Sequence, residues 1–195
     1  MGLLIEWNLI SLDGYFEGAK KWDLEWHSHI WDQELEQFSV EQLRSAGMLL
    51  FGRVTYEGMA AYWKGATGEV GQLMNSLPKA VISRTLKDAD WNNTRILRGG
   101  SVDEIMKLKH EIAQDIFVFG SGALAATLTK AGLFDEYRIA LAPTVLGRGA
   151  TLFGRDLPRL RFRLVEARPL SSGVVILRYA PENRSKEVHA PASAS

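Results

Sequence analysis

Three apolar segments of this sequence are each followed directly by residues that suit an anion. The three junctions are Met48–Phe51 before Gly52-Arg53, Ala80–Ile82 before Ser83-Arg84, and Ile116–Phe119 before Gly120-Ser121-Gly122. Glycine lets the backbone approach a ligand closely, helix N-termini present free N–H groups to phosphate, and arginine offers phosphate a planar fork. Each junction alone is also typical of an ordinary strand-to-helix turn, but three in this order favour a phosphorylated dinucleotide, with arginine favouring the 2′-phosphate of NADPH.

Such a site requires the three segments to be strands of one sheet, because ligands of open α/β sheets bind beyond the carboxyl ends of the strands. Short, uniformly apolar runs are typical of buried strands. Strands are predicted over residues 3–11, 48–51, 80–82, 95–97, 116–119, 136–146, 160–168 and 174–180. Helices are predicted over residues 34–46, stopped by Gly47, over 54–63, over 101–113 behind a capping box at Ser101, and before Gly132.

This order of elements predicts an α/β fold. Strands that alternate with helices form a mostly parallel central sheet, with helices on both faces. The last two strands are expected to pair as a hairpin around residues 171–173 and to form an antiparallel C-terminal edge. Residues 1–181 are expected to form a single domain, and residues 182–195, which lose the hydrophobic pattern, a disordered tail.

The composition narrows the class of protein. The chain has 195 residues, a net charge of zero and no cysteine, which argues against a general nucleic-acid binder and excludes thiol-based zinc sites. No apolar run is long enough to span a membrane, and the N-terminus lacks the pattern of a signal peptide. We therefore expect a cytoplasmic protein with no membrane or nucleic-acid partner.

The segment Gly120–Ala125 also fits the G-x-G-x-x-A dinucleotide fingerprint. A true Rossmann site lies in the first βα unit and has an acidic residue about 20 positions later. Here that position is Ala140, within an apolar stretch. The segment is therefore interpreted as a phosphate-binding turn of another fold.

Several motifs occur together in the order of one known family. They are Ser11-Leu-Asp-Gly14, Gly52-Arg-Val-Thr-Tyr-Glu57, Ser83-Arg84, Phe119-Gly-Ser-Gly122 and Pro143-Thr-Val-Leu-Gly-Arg-Gly149 with Leu152-Phe153. Over roughly residues 3–180 the chain resembles the dihydrofolate-reductase-like family. It is most similar to the branch that contains the C-terminal reductase domain of the bifunctional riboflavin-pathway deaminase-reductase.

The resemblance implies hydride transfer from NADPH to a small, pterin- or aminouracil-like heterocycle, and a homodimer. It implies a cofactor site formed by Gly52, Arg53, Thr55, Ser83, Arg84, Gly120, Ser121, Gly122, Ala123 and Leu124. It also makes Asp13 the candidate acid on the substrate side, where a carboxylate could orient a polar substrate or relay a proton. Glu36 is the second candidate, with Glu34 an alternative on the same predicted helix. An Asp-Gly turn and a solvated helix charge are the plain structural readings of these residues.

Two departures from the family pattern bear on the substrate. The riboflavin-pathway reductase typically has a lysine after its Asp-Gly and a Glu-Gly-Gly turn, where this chain has Tyr15 and Phe119-Gly120-Ser121. The 5-amino-6-(5-phosphoribosylamino)uracil reductase of that pathway is therefore the second hypothesis. A non-catalytic NADPH-binding or sensing module is a third, and a dimeric structural protein a fourth; an open cleft with a carboxylate over the nicotinamide would favour an enzyme.

Two further clusters leave alternatives open. Trp22, Trp26 and Trp31 could form a lid that stacks on a planar ring, or a loop packed on the sheet edge. The neighbouring His27 and His29 lack a recognisable metal-ligand spacing, so no metal is expected. A stretch of arginines is expected to form a solvated strand face or a subunit interface; it comprises Arg148, Arg155, Arg159, Arg161, Arg163 and Arg168.

Overall fold

The computed structural model describes residues 2–99, 102–120, 122–153 and 157–182. The strands are β1 (Leu4–Ser11), β2 (Tyr15–Glu17), β3 (Ala46–Gly52), β4 (Lys79–Ile82), β5 (Thr94–Leu97), β6 (Asp115–Phe119), β7 (Glu136–Ala142), β8 (Ala150–Thr151), β9 (Phe162–Pro169) and β10 (Val175–Pro181). The helices are α1 (Gln33–Ser45), α2 (Arg53–Trp63), α3 (Gly68–Ser76), α4 (Val102–Glu111) and α5 (Gly122–Lys130), with a 3₁₀ helix over Glu25–His29.

Eight of these strands form one sheet in the order β5-β4-β3-β6-β1-β7-β10-β9. The first six are mutually parallel, whereas β10 runs antiparallel to both β7 and β9. The β9–β10 hairpin turns at Gly173, whose φ of 85° suits glycine. The predicted α/β fold with its antiparallel edge is confirmed.

Helices cover both faces of the sheet. On one face, α1, α2 and α3 contribute Leu35, Phe38, Tyr56 and Met74 to a core with the aromatic ring of Phe51. On the other face, α4 and α5 pack Ile105, Leu108 and Leu128 against alternate residues of the same strands. Since both faces are covered, the inner strands β3, β4 and β6 are largely buried, which explains their mostly apolar sequences.

Gly47 does not stop the first helix, so that expectation was wrong. Helix α1 ends at Ser45, and Gly47 already lies inside β3, next to a register shift against β6. A Cβ on Gly47 would come within 2.7 Å of Ile112 and 2.9 Å of Gln114. Glycine is needed there for the close approach of the segment that follows α4.

Four elements were not predicted from the sequence, namely α3, β2, β8 and the 3₁₀ helix over Glu25–His29. Helix α3 contains Gly68 and Gly71, which weaken its helical pattern. Strands β2 and β8 are very short, and within the described part of the chain they pair only with each other. These two strands meet beside Gly122 at the N-terminus of α5, and this pairing depends on the tertiary fold because they are distant in sequence.

Some predictions fall outside the described residues. These are the capping serine Ser101, Ser121 of the phosphate-binding turn, Arg155 of the arginine stretch and the tail from residue 183 onward. Glu182 is described, and its backbone N–H donates to Arg161 O at 2.9 Å. Within the described ranges, no helix combines the length and the hydropathy that crossing a membrane requires.

Candidate functional site

A cleft of about 770 Å³ opens at the carboxyl ends of the central parallel strands. Strands β1, β3, β4 and β6 reach it through Trp7–Leu9, Gly52, Ile82 and Phe119. Three of these strands carry the junctions predicted to bind an anion. The topology therefore places the cleft where α/β sheets bind their ligands.

One half of the cleft is built from the start of helix α2. Gly52 precedes the helix with extended backbone, and no side chain caps the first N–H groups. The Arg53 side chain lines the cleft and pairs with Glu57 at 2.9 Å. Because exposed ion pairs are weak, Arg53 can leave Glu57 for a phosphate. Free N–H groups beside a guanidinium form an anion site.

The turn before α5 completes this half of the cleft. Gly120 has a φ of 57°, and a Cβ at this position would come within 3.3 Å of Thr55 Cγ2. A Cβ on Gly122 would meet Phe16 Cε1 at 3.2 Å. Ala123 and Leu124 of the first turn also line the cleft. The two glycines keep a narrow space open along the helix N-terminus.

Ser83 and Arg84 lie one step beyond the described cleft lining, which reaches Ile82 on this strand. Ser83 is buried, and its hydroxyl accepts from the backbone N–H groups of Thr85 at 3.2 Å and Leu86 at 2.9 Å. Arg84 is exposed. The structure thus gives Ser83 a turn-forming contact and exposes Arg84 to solvent.

Asp13 lies outside the cleft lining and ties two loops together instead. Its carboxylate accepts from Ser11 Oγ at 2.6 Å, from Leu146 N at 3.1 Å and from Gly147 N at 2.7 Å. The hydrogen bond from Ser11, followed by those from the backbone, lowers the pKa of Asp13. The carboxylate is thus ionised and already engaged by three donors.

The two candidate glutamates of α1 are also outside the described lining of the cleft. Glu36 is exposed. Glu34 accepts hydrogen bonds from the backbone N–H and the hydroxyl of Ser171, which lower its pKa. Helix α1 begins at an Asp32 cap, so its first turn faces the β9–β10 hairpin. The sequence could not show that the first turn of α1 faces this hairpin, because no motif fixes where Glu34 and Glu36 lie relative to the cleft.

The other half of the cleft is aromatic and apolar. Its lining includes Trp7, Phe16, Trp22, Leu24 and Met59. Trp22 lies at the cleft edge with a φ of 64°, and its backbone N–H donates to Glu17, which also lines the cleft. Trp26 instead packs into the core. The segment thus places Trp22 in the cleft wall and anchors itself in the core through Trp26, while the lid stays a prediction.

His27 is the histidine of this half. It lines the cleft, and its ring stands edge-on to Trp26 with centroids 4.3 Å apart. Burial lowers the pKa of His27 to about 4, so the imidazole is neutral at pH 7. Its Nε2 is buried without a hydrogen-bond partner among the described residues. Those residues contain no group of three or more acidic or histidine side chains placed to hold a metal ion.

The fold is that of dihydrofolate-reductase-like proteins. The dihydrofolate reductase of Enterococcus faecalis, solved as a complex with NADP(H), superposes with a TM-score of 0.62 at 15% identity, over 93% of this chain and 98% of that one. A Shewanella sp. PV-4 protein provisionally assigned to riboflavin biosynthesis superposes with a TM-score of 0.79 at 22% identity, over 93% and 99% of the two chains.

Sequence comparison narrows the class further. Residues 4–176 match the RibD C-terminal domain family. The chain is 31% identical over 175 residues to the uncharacterized protein YyaP of Bacillus subtilis (strain 168), covering 87% of this chain and 90% of that protein. The chain belongs to the RibD C-terminal domain family.

Proposed function

We propose that this chain is an NADPH-dependent reductase that transfers a hydride to a small heterocyclic metabolite of pterin or aminouracil type. The observation that carries the proposal is that one cleft combines an anion-binding helix start with aromatic side chains. Arg53 and an uncapped helix N-terminus form the first half, and an aromatic wall forms the second. A phosphorylated dinucleotide and a planar substrate match these halves.

The residues of the first half fit NADPH. The start of α2 offers unbonded N–H groups, and a side chain at Gly120 or Gly122 would crowd the space beside Thr55 and Phe16. The residues that would hold the cofactor are Gly52, Arg53, Thr55, Gly120, Gly122, Ala123 and Leu124. Ser83, Arg84 and Ser121 remain predicted members of the same site.

Bound NADPH supplies the hydride, and the second half of the cleft orients the acceptor. Trp22 and Phe16 can stack on a planar ring and exclude water from it. The neutral His27 imidazole can hydrogen-bond a ring nitrogen or an exocyclic group without introducing charge. Asp13 and Glu36, predicted as catalytic acids, lie outside the described lining, so His27 is the better candidate for the polar group facing the substrate.

The open state of the cleft favours an enzyme over a binding module. A module that had lost its chemistry would be expected to fill the substrate half with apolar side chains. Here the cleft is open over about 770 Å³, and Glu17 is one of its lining residues. An open cleft with an acidic lining residue supports the enzyme hypothesis.

The riboflavin-pathway reductase itself is the second candidate. Family membership favours it, and Lys21 lines the aromatic half, where it could pair with the phosphate of a ribosyl substrate. Against it, Tyr15 takes the place of the usual lysine after Asp-Gly. Activity on the phosphoribosyl compound but not on its free base would establish this candidate.

The testing experiment is a titration of the protein with NADPH and NADH, followed by tryptophan fluorescence and energy transfer to the nicotinamide. Trp7 and Trp22 both line the cleft and act as donors close to the ligand. We expect saturable binding with NADPH clearly tighter than NADH. Pterins, aminouracils and small carbonyl compounds are then screened for NADPH oxidation. Failure of both nucleotides to bind would reject the proposed reductase function.

A further inference from the structure

A carboxylic acid lies buried in the middle of the sheet, directly behind the cleft. Glu6 of β1 is fully buried, and its register partners are Val118 on β6 and Tyr137 on β7. Asn8 lies two residues further along the same strand, so it faces the same side of the sheet. Asn8 Nδ2 donates a hydrogen bond to Glu6 Oε1.

Asn8 connects this buried acid to the ligand space. Its side chain is 7% exposed, and it is part of the cleft lining. A Cβ placed on Gly120 would lie 3.9 Å from Asn8 Oδ1 and 3.8 Å from Thr55 Oγ1. Because Nδ2 is bonded to Glu6, Oδ1 is the end of the amide that faces Gly120 and can accept a hydrogen bond.

Burying Glu6 beside Asn8 lowers the stability of the folded protein. Glu6 Oε2 has no hydrogen-bond partner among the described residues, and burial raises the pKa of Glu6 to about 8. An apolar residue at position 6 would avoid this desolvation penalty. Local departures from efficient packing are expected where a protein serves a function. Glu6 fixes the direction of the Asn8 amide, and this is a use that an apolar residue could not provide.

We propose that Asn8 is a ligand-binding residue of the cleft, whose side-chain carbonyl accepts a hydrogen bond from the carboxamide N–H of the nicotinamide, and that Glu6 is its positioning residue. This inference rests on the proposed function. Asn8 Oδ1 faces Gly120 of the phosphate-binding turn, and two residues later a Cβ on Gly122 would meet Phe16 of the aromatic half, so Asn8 lies near the junction of the phosphate half with that aromatic half. The redox end of the cofactor must approach that half to meet a substrate.

The first test compares two probes on the wild-type protein and on Asn8→Ala. NADPH carries the nicotinamide, whereas 2′,5′-ADP carries only the adenosine bisphosphate part. Loss of one hydrogen bond should weaken NADPH binding about tenfold. The affinity for 2′,5′-ADP should not change. Asn8→Leu, which keeps the side-chain volume, serves as a second variant if Asn8→Ala fails to fold.

The second test separates positioning from packing. Glu6→Gln retains an oxygen that can accept from Asn8 Nδ2 and should keep the wild-type affinity for NADPH. Glu6→Leu removes that acceptor and should weaken NADPH binding as Asn8→Ala does, with 2′,5′-ADP binding intact. The double variant Glu6→Leu/Asn8→Ala should bind no more weakly than Asn8→Ala alone, because both changes remove one interaction.

The outcomes distinguish this inference from the proposed function. If the wild-type protein binds NADPH and Asn8→Ala binds it equally well, the inference is wrong and the proposed function stands. An equal loss of NADPH and 2′,5′-ADP affinity in Asn8→Ala would also overturn it, since that result indicates general disruption. If the wild-type protein binds no NADPH, both fail together.

Discussion

The indole ring of Trp22 lies directly against the α-carbon of Gly58. A Cβ on Gly58 would overlap three carbon atoms of the indole, so the contact requires glycine at this position of α2. Trp22 is held from the other side by its backbone N–H, which donates to Glu17. The loop after β2 is thereby fastened to α2, and one wall of the cleft is defined.

Gly58→Ala should therefore displace the Trp22 ring and open that wall. The emission of Trp22, obtained as the difference between each protein and its Trp22→Phe counterpart, should shift to the red as the ring becomes more exposed. Gly65→Ala is a matched control, because nothing lies within 4 Å of a Cβ at Gly65. An unchanged Trp22 difference spectrum in Gly58→Ala would contradict the contact.

Arg53→Ala should remove most of the preference for NADPH over NADH. A charge-assisted hydrogen bond to phosphate contributes about 1.5–3 kcal/mol, which corresponds to roughly a 10- to 150-fold loss of NADPH affinity. Arg84→Ala should cost less, since the described cleft lining stops at Ile82. Arg95→Ala is the control, because Arg95 forms a similar exposed ion pair with Glu111 at 3.1 Å. Equal losses in Arg53→Ala and Arg95→Ala would show that the effect is not local.

The buried acid Glu6 should make the stability of the protein fall as the pH rises. Its pKa is about 8 in the folded protein, against an ordinary value of 4.5. Between these values the folded protein holds a proton that the unfolded chain has lost. The contribution of Glu6 is thus complete below pH 4.5 and decreases by about 1.4 kcal/mol per pH unit until pH 8.

Glu6→Gln has no proton to lose and should gain stability relative to the wild type across this range. The free energy of unfolding in urea, measured at pH 5, 6.5, 8 and 9, checks this expectation. Glu36→Gln replaces an exposed glutamate and serves as the control. Its free energy of unfolding should not gain steadily on that of the wild type as the pH rises from 5 to 8. A pH-independent difference between Glu6→Gln and the wild type would argue that Glu6 is already ionised when folded.

Lys79 should be one of the residues on which folding depends most. Its side chain is fully buried, and Nζ donates to the carbonyl oxygens of Leu77 at 2.7 Å and of Asn75 and Asn92 at 3.1 Å. The ammonium group also lies 4.7 Å from the centroid of Trp91. Lys79→Met would leave these carbonyls with fewer donors and should cost about 3 kcal/mol or more.

Urea unfolding measures this cost directly, and Lys87→Met, on an exposed lysine, provides the comparison. A loss for Lys79→Met as small as that for Lys87→Met would mean that water replaces the ammonium group at little cost.

The strand-to-helix junctions could be predicted because their signal is local. Apolar runs such as Met48–Phe51 indicate buried strands, and the glycine or arginine after each run lies at its carboxyl end in any parallel sheet. Parallel pairing then brings Gly52, Arg53 and Gly120 to one cleft without further information. These features, together with the antiparallel C-terminal hairpin, could be recognised from the sequence alone.

The direction of individual polar side chains was decided only by the tertiary structure. Asp13 bonds to the loop at Leu146 and Gly147, more than 130 positions away, and Glu34 bonds to Ser171. The partners of Asp13 and Glu34 could not be inferred from the local sequence pattern, because these contacts depend on how distant loops meet. For the same reason Glu6, which in the sequence merely interrupts an apolar run, became a buried acid behind the cleft only when β6 and β7 enclosed β1.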